Sequence, residues 1–255
     1  MSARRQSAVG LALAGAIAGG WLAVHLGGIF LVDIGAETLL LILIAVLLQS
    51  WLSTGLFIVA HDAMHGSLAP AAPRLQRLAG RAALMIYAGI DYDRMAPAHF
   101  AHHKHVGSGR DPDFHADDPV RFWPWLRTFF LRYYTHGQIL RITLAATVYM
   151  LLGASLLNIA LFWAVPALLA LVQLFYFGTY LPHRHGPRAF ADRHRARSME
   201  MPRWLSLVTC FHFGAYHHEH HLYPGAPWWQ LPARRASAAK RAATSSSLRP
   251  NSPSV

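Results

Sequence analysis

Two absences mark this sequence. Its 255 residues include one cysteine, Cys210. A lone thiol closes no internal disulfide and excludes every zinc or iron–sulfur site that needs two thiolates. Charge is also scarce. Only 14% of residues are Asp, Glu, Lys or Arg, against roughly 25% in an ordinary soluble domain. That argues against disorder, a nucleic-acid-binding tail and a typical cytosolic enzyme. Acids are the scarcer charge, at 12 Asp and Glu against 23 Lys and Arg, a formal net charge of +11. What is plentiful is apolar residues, 54% of the chain, and histidine, at 17 residues. The length fits one domain.

The apolar residues come in long blocks. Leu39 to Ala60 is 22 residues without a charge, and Ile142 to Leu181 is 40. A membrane core about 30 Å thick takes about 20 helical residues at 1.5 Å each. The first block is one span and the second is long enough for two. The turn between those two is expected in 153–166, with Asn158 and Pro166 as breakers. Val9 to Val32 is a further uncharged run, broken only by His25. It is long for a signal peptide, and no small-x-small cleavage site follows it. Expected spans are therefore 9–32, 39–60, 142–160 and 161–181.

The charges are placed one-sidedly. Two basic residues precede the first span, 10 lie in 61–141 and 11 in 182–255, which accounts for all 23. In a four-span bundle these regions share one side. The positive-inside rule then predicts a multi-pass inner (cytoplasmic) membrane protein with both termini cytoplasmic. The charge is a topology signal, and no nucleic-acid partner is expected. Val120 to His136 interleaves aromatics with Arg121, Arg127 and Arg132 and suits a helix in the headgroup plane. Trp228 and Trp229 read as an interfacial anchor. The predicted fold is an all-α membrane protein: four transmembrane helices in two hairpins, interfacial helices and a cytoplasmic His-rich cap. Residues 1–232 form the single domain, and 233–255 read as a disordered, basic, Ser-rich tail.

Sixteen of the 17 histidines fall on the basic side, His25 being the exception, and they cluster. His61 and His65 are spaced i, i+4. His99, His102 and His103 are spaced i, i+3, i+4, and His217, His220 and His221 repeat that pattern. On a helix such residues share a face. Eight imidazoles are too many for one ordinary metal and suit two. His183, just past the last span, makes nine, with His185 as its rival. A zincin needs H-E-x-x-H, which His218-Glu219 does not supply. A ferritin-like site needs Glu on several bundle helices, and these spans carry none. The stretch from Asp111 to Asp118 begins like a calcium loop but has Ala116 and Phe122 where Gly and Glu belong. Redox-capable iron is the metal that gives an all-nitrogen site at a membrane surface a purpose, through O2 and an apolar C–H bond. Zinc has no redox chemistry.

The three boxes, H-x3-H and two of H-x2-H-H, resemble those of the membrane fatty acid desaturase and hydroxylase superfamily. The surrounding phrases are more specific. His-Asp-Ala-Met-His-Gly (61–66), Ala-His-His-Lys-His (101–105), Asp-Pro-Asp-Phe (111–114), Phe-Gly-Thr-Tyr-Leu-Pro-His-Arg (177–184), Thr-Cys-Phe-His-Phe-Gly-Ala-Tyr-His-His-Glu-His-His-Leu (209–222) and Pro-Trp-Trp-Gln-Leu-Pro (227–232) resemble the bacterial β-carotene ketolases over residues 51–232. The resemblance implies a di-iron, O2-dependent oxygenase drawing electrons from NAD(P)H through a reductase and ferredoxin. It implies oxidation of C4 and C4′ of β-ionone rings by two hydroxylations and loss of water, giving echinenone and canthaxanthin and leading toward astaxanthin. It implies metal ligation by His61, His65, His99, His102, His103, His183, His217, His220 and His221. Asp62, His105, Asp111, Asp113, His218 and Glu219 are candidates for the surrounding shell, where ligating imidazoles find carboxylate partners. Arginines in 182–203 are candidates for steering an acidic donor. A carotenoid 3-hydroxylase or acyl desaturase would use similar boxes, and a non-catalytic His-rich metal binder is the reading from another class.

Overall fold

The computed structural model describes residues 1–247. Among these the chain is helical, with no strand. Helices α1 (Ala3–Leu31) and α2 (Leu39–Met64) form a hairpin closed by a short turn at Ala36–Thr38. Then come α3 (Pro73–Ala88), α4 (Tyr92–His105), α5 (Phe122–Tyr133) and α6 (His136–Leu151). A long helix, α7, runs over Leu156–His183 with π-helical turns at Ala160–Ala164 and Tyr176–Tyr180. The short α8 (Arg203–Cys210) and α9 (His217–Leu222) precede α10 (Leu231–Ser247).

The outer face of α2 is unlike that of a soluble protein. Along α2, Leu40, Leu41, Leu43, Ile44 and Leu47 are exposed, whereas Gln49, Ser50, Ser53 and Thr54 are buried. Apolar side chains facing outward and hydrogen-bonding ones facing inward is the arrangement lipid selects. Ser50 and Thr54 return their hydroxyls to carbonyls one turn back, and Trp21 of α1 donates to Ser53 at 2.9 Å. Among the described residues three helices are long and apolar enough to cross a membrane: Ala3–Leu31, Ala36–Met64 and Leu156–His183. The chain is a membrane protein.

The expected third span, 142–160, is divided differently. The turn lies at 152–155, where Gly153 has φ +96° and the Ser155 side chain caps α7 at the Asn158 amide, 3.0 Å away. Only 16 residues remain for α6, about 24 Å of helix, short of a full hydrocarbon core. Neither expected breaker breaks the chain. Asn158 lies inside α7 and donates to the carbonyls of Gly28 and Val32 at 2.9 and 2.8 Å, tying α7 to α1. Contact there is close, since a Cβ on Gly28 would fall 2.2 Å from the Phe162 ring.

Pro166 also sits within α7. It has no N–H for the carbonyl of Phe162 four residues back. The π turn absorbs the mismatch, with the Val165 amide reaching Ala160. His25 takes the place of the missing donor, its Nδ1 lying 3.4 Å from Phe162 O while Tyr149 OH lies 3.2 Å from Nε2. This explains the one histidine outside the basic regions. The same device recurs below, where the Leu181 amide reaches Tyr176 just ahead of Pro182. That second π turn sets the rotation with which His183 leaves the helix.

Two further expectations need correction. Residues from 233 were expected to be disordered, but α10 continues to Ser247. Its Ala, Arg and Lys are strong helix formers, and Leu231 anchors it in the core. The rest of that expected tail, 248–255, lies outside the described residues. Trp228 is not an interfacial anchor either. It is buried against Phe211, with ring centroids 5.2 Å apart.

Candidate metal centre

Four segments deliver imidazoles to one end of the bundle. The end of α2 supplies His61 and His65, α4 supplies His99, His102 and His103, the end of α7 supplies His183, and α9 supplies His217, His220 and His221. They sort into two groups, His61, His65, His99, His103 and His220 in one, and His102, His183, His217 and His221 in the other. Within each group the potential ligand atoms all lie within 4.8 Å of one another. The nine are those the sequence marked out. His183 is inside, while His185 packs on Phe114 and Phe190.

The helical spacing produces two sites from few segments. His102 and His103 are adjacent in sequence but fall in different groups, as do His220 and His221. The nitrogens converge. Nε2 atoms lie 2.7 Å apart for His65 and His99, 3.0 Å for His103 and His220, 2.8 Å for His183 and His217, and 3.1 Å for His217 and His221. Two nitrogens bound at right angles at ~2.1 Å would sit ~3.0 Å apart. The donor set and its spacing fit two transition-metal ions.

Burial keeps most of these rings neutral. It holds the pKa of His99, His217, His220 and His221 well below the ordinary imidazole value and brings His103 down to about 2, with neighbouring imidazoles adding to the effect. Neutral rings keep the lone pair a metal needs. For His102 burial also pulls downward, but its hydrogen bond to the Asp111 carboxylate and the charges of Asp113 and Asp111 outweigh it and raise the pKa.

The surrounding groups are unevenly distributed. Asp111 takes His102 Nδ1 at 2.9 Å and is itself fixed by the amides of Gly107 and Asp113. Asp113 lies 3.8 Å from the same His102 nitrogen and accepts the Tyr133 hydroxyl. His183 Nδ1 donates to the Arg195 carbonyl at 2.8 Å, which turns Nε2 inward. Asp62 is 3.8 Å from His61 Nδ1 and instead accepts the Trp228 amide at 3.1 Å. His218 points away to Asp192, 2.8 Å off, and Glu219 turns away to Ser198 and Arg235. His105 joins neither group. The Nδ1 atoms of His61, His217, His220 and His221 are buried without a hydrogen-bond partner. Those rings are held by packing, Phe213 lying 4.3 Å from His61 and 4.7 Å from His220. Arg195, Tyr133 and Arg235 carry no metal-ligand spacing, so nothing in the sequence ties them to the histidine boxes, and Phe213 falls in the stretch 209–222 without a role of its own.

A cavity of about 350 Å³ opens on both groups. His61, His99 and His103 line it from the first, and His102 and His217 from the second. Beyond them its wall is apolar and aromatic, with Tyr87, Trp163, Leu171 and Phe213. Cys210 also lines it, but burial pushes that thiol up to about 12, so it is inert.

Fold and site together define a membrane-bound multi-histidine metalloprotein with an apolar cavity at its metal groups. The fatty acid desaturase family matches residues 36–141 and 135–248. A β-carotene ketolase of Paracoccus sp. (strain N81106 / MBIC 01143) is 45% identical, over 90% of this chain and 93% of its own length. A β-carotene 4-ketolase of Haematococcus lacustris is 38% identical, over 90% and 80%. A zeaxanthin 4-ketolase of Chlamydomonas reinhardtii is 40% identical, over 74% of this chain and 43% of its own length. The chain belongs to the fatty acid desaturase family and, within it, to the β-carotene ketolases.

Proposed function

We propose that the chain is a di-iron oxygenase that introduces a keto group at C4 and C4′ of the β-ionone rings of β-carotene or related carotenoids. The observation that carries this is the cavity, which joins both imidazole groups to an apolar wall large enough for a ring and its adjoining polyene. His61, His65, His99, His103 and His220 would hold one iron, and His102, His183, His217 and His221 the other. When bound there, a redox-active metal pair supplies O2 activation strong enough to take hydrogen from an unactivated C–H bond. The protein's own part is positional. Tyr87, Trp163 and Phe213 line the cavity with apolar and aromatic surface that would exclude water around a flat, conjugated ligand. Ile139 and Leu168 line the outer part of the cavity and are partly exposed on the apolar surface, which suits entry from the bilayer. Asp111 keeps His102 in one orientation.

The finer topology belongs to the same reading. Here α6 is a fourth, shallow crossing, with both termini and the metal groups on the cytoplasmic side of the inner membrane. Arg184, Arg188 and Arg193 lie exposed on the 182–203 segment that covers His183, and suit an acidic ferredoxin-type donor. Ketone formation from β-carotene by purified chain, reductase and ferredoxin under O2 tests the activity, and its decline with rising salt tests the docking. A 3-hydroxylase would instead give hydroxylated rings, a desaturase altered fatty acids, and a silent metal binder no product. The curated relatives, which carry ketolase names, favour none of these.

A further inference from the structure

Glu219 is the odd residue of the third box, His217-His218-Glu219-His220-His221, and it has no contact with the metal groups. The helix that carries it is six residues long and has no side-chain N-cap. A helix so short does not hold itself. Yet α9 supplies three of the nine imidazoles, one to the first group and two to the second, and their Nδ1 atoms have no partner to aim them. Its orientation must come from outside.

Arg235 of α10 meets that need. Its Nε donates to Glu219 Oε1 at 2.7 Å and its Nη2 to Oε2 at 3.1 Å. The same guanidinium donates to the carbonyl of Ala215 at 2.5 Å and of Met199 at 3.3 Å, and it lies 4.3 Å over the Tyr216 ring. Ser198 completes the knot by donating to Glu219 and accepting the His218 amide. One planar fork thus ties α10, the 198–199 segment and both ends of the 215–219 stretch. Only guanidinium has the donors to do this.

We propose that Arg235, through Glu219, is the positioning residue of the third histidine box, so that α10 is part of the metal centre's framework. The inference rests on the two-metal reading above. Because α9 serves both groups, loss of the fork weakens both metals together.

The test uses the full chain, purified in detergent, loaded with iron and titrated with a chelator. Arg235→Ala is expected to weaken retention of both irons by about 10–100-fold. Arg235→Lys keeps the charge without the fork and is expected to weaken both by about tenfold. It is read in the same way if the alanine variant does not reach the membrane. Arg234→Ala, one residue earlier and 5.9 Å from the Tyr223 ring, should retain iron like the parent. Parent-like retention in the Arg235 variants, or loss of one iron only, overturns the proposal. A parent chain that holds no iron overturns the two-metal reading itself and the inference with it.

Discussion

His102 and His103 follow one another on α4, yet their rings, with centroids 5.7 Å apart and 80° between planes, belong to different metal groups. One backbone step thus divides the second histidine box between two sites. Alanine at His103 should remove the first metal and alanine at His102 the second. Elemental analysis of each purified variant should find about one iron where the parent holds two, and neither should form ketone. Loss of both irons in both variants would mean that the groups are not separate sites.

Asp111 is the carboxylate that orients His102, and the amides of Gly107 and Asp113 fix it in turn. Asp111→Asn should lower iron affinity or ketone formation by about 10–100-fold. Asp62→Asn should cost stability first, because Asp62 holds the Trp228 amide and makes no hydrogen bond to a ligand ring. Chelator titration beside thermal unfolding separates the two effects.

The metal-stripped chain should be acid-sensitive. His99, His103, His217, His220 and His221 keep their pKa below the ordinary value when folded, because of burial. Unfolded, they take up protons near pH 6.5. The unfolded state therefore binds more protons below that pH, and stability present above it drains away as pH falls. His102, with its raised pKa, works the other way and is outnumbered. The Tm of chelator-treated protein should fall between pH 7.5 and 5.5, and a flat profile would contradict the buried, neutral cluster.

His25 serves the fold and not the metals. His25→Ala leaves the Phe162 carbonyl and the Tyr149 hydroxyl without their buried partner, a loss of about 1–3 kcal/mol. The folded fraction should still hold both irons, as measured after separation from aggregate.

Much of this was legible in residue spacing. The i, i+4 and i, i+3, i+4 spacings marked out eight of the nine imidazoles, because helical periodicity leaves little freedom over one turn, and the place of His183 just past the last span added the ninth. The membrane character followed from uncharged runs. What sequence hid was tertiary. Nothing local says that His25 will complete the bond Pro166 cannot make, so Pro166 read as a breaker. Nothing local says that Arg235 will reach Glu219, so a basic, Ser-rich stretch read as a disordered tail. In sequence the acids beside the boxes look alike, and only packing separates Asp111, on a ligand ring, from Glu219, which faces away.

The central claim is ketone formation on a carotenoid ring, and expression in a bacterium that already accumulates β-carotene tests it most directly. Chromatography of the extracted pigments should show echinenone and canthaxanthin in cells carrying the parent chain, and only β-carotene in cells carrying His102→Ala or His103→Ala. Zeaxanthin alone, or unchanged β-carotene with membrane-inserted parent chain present, would contradict it.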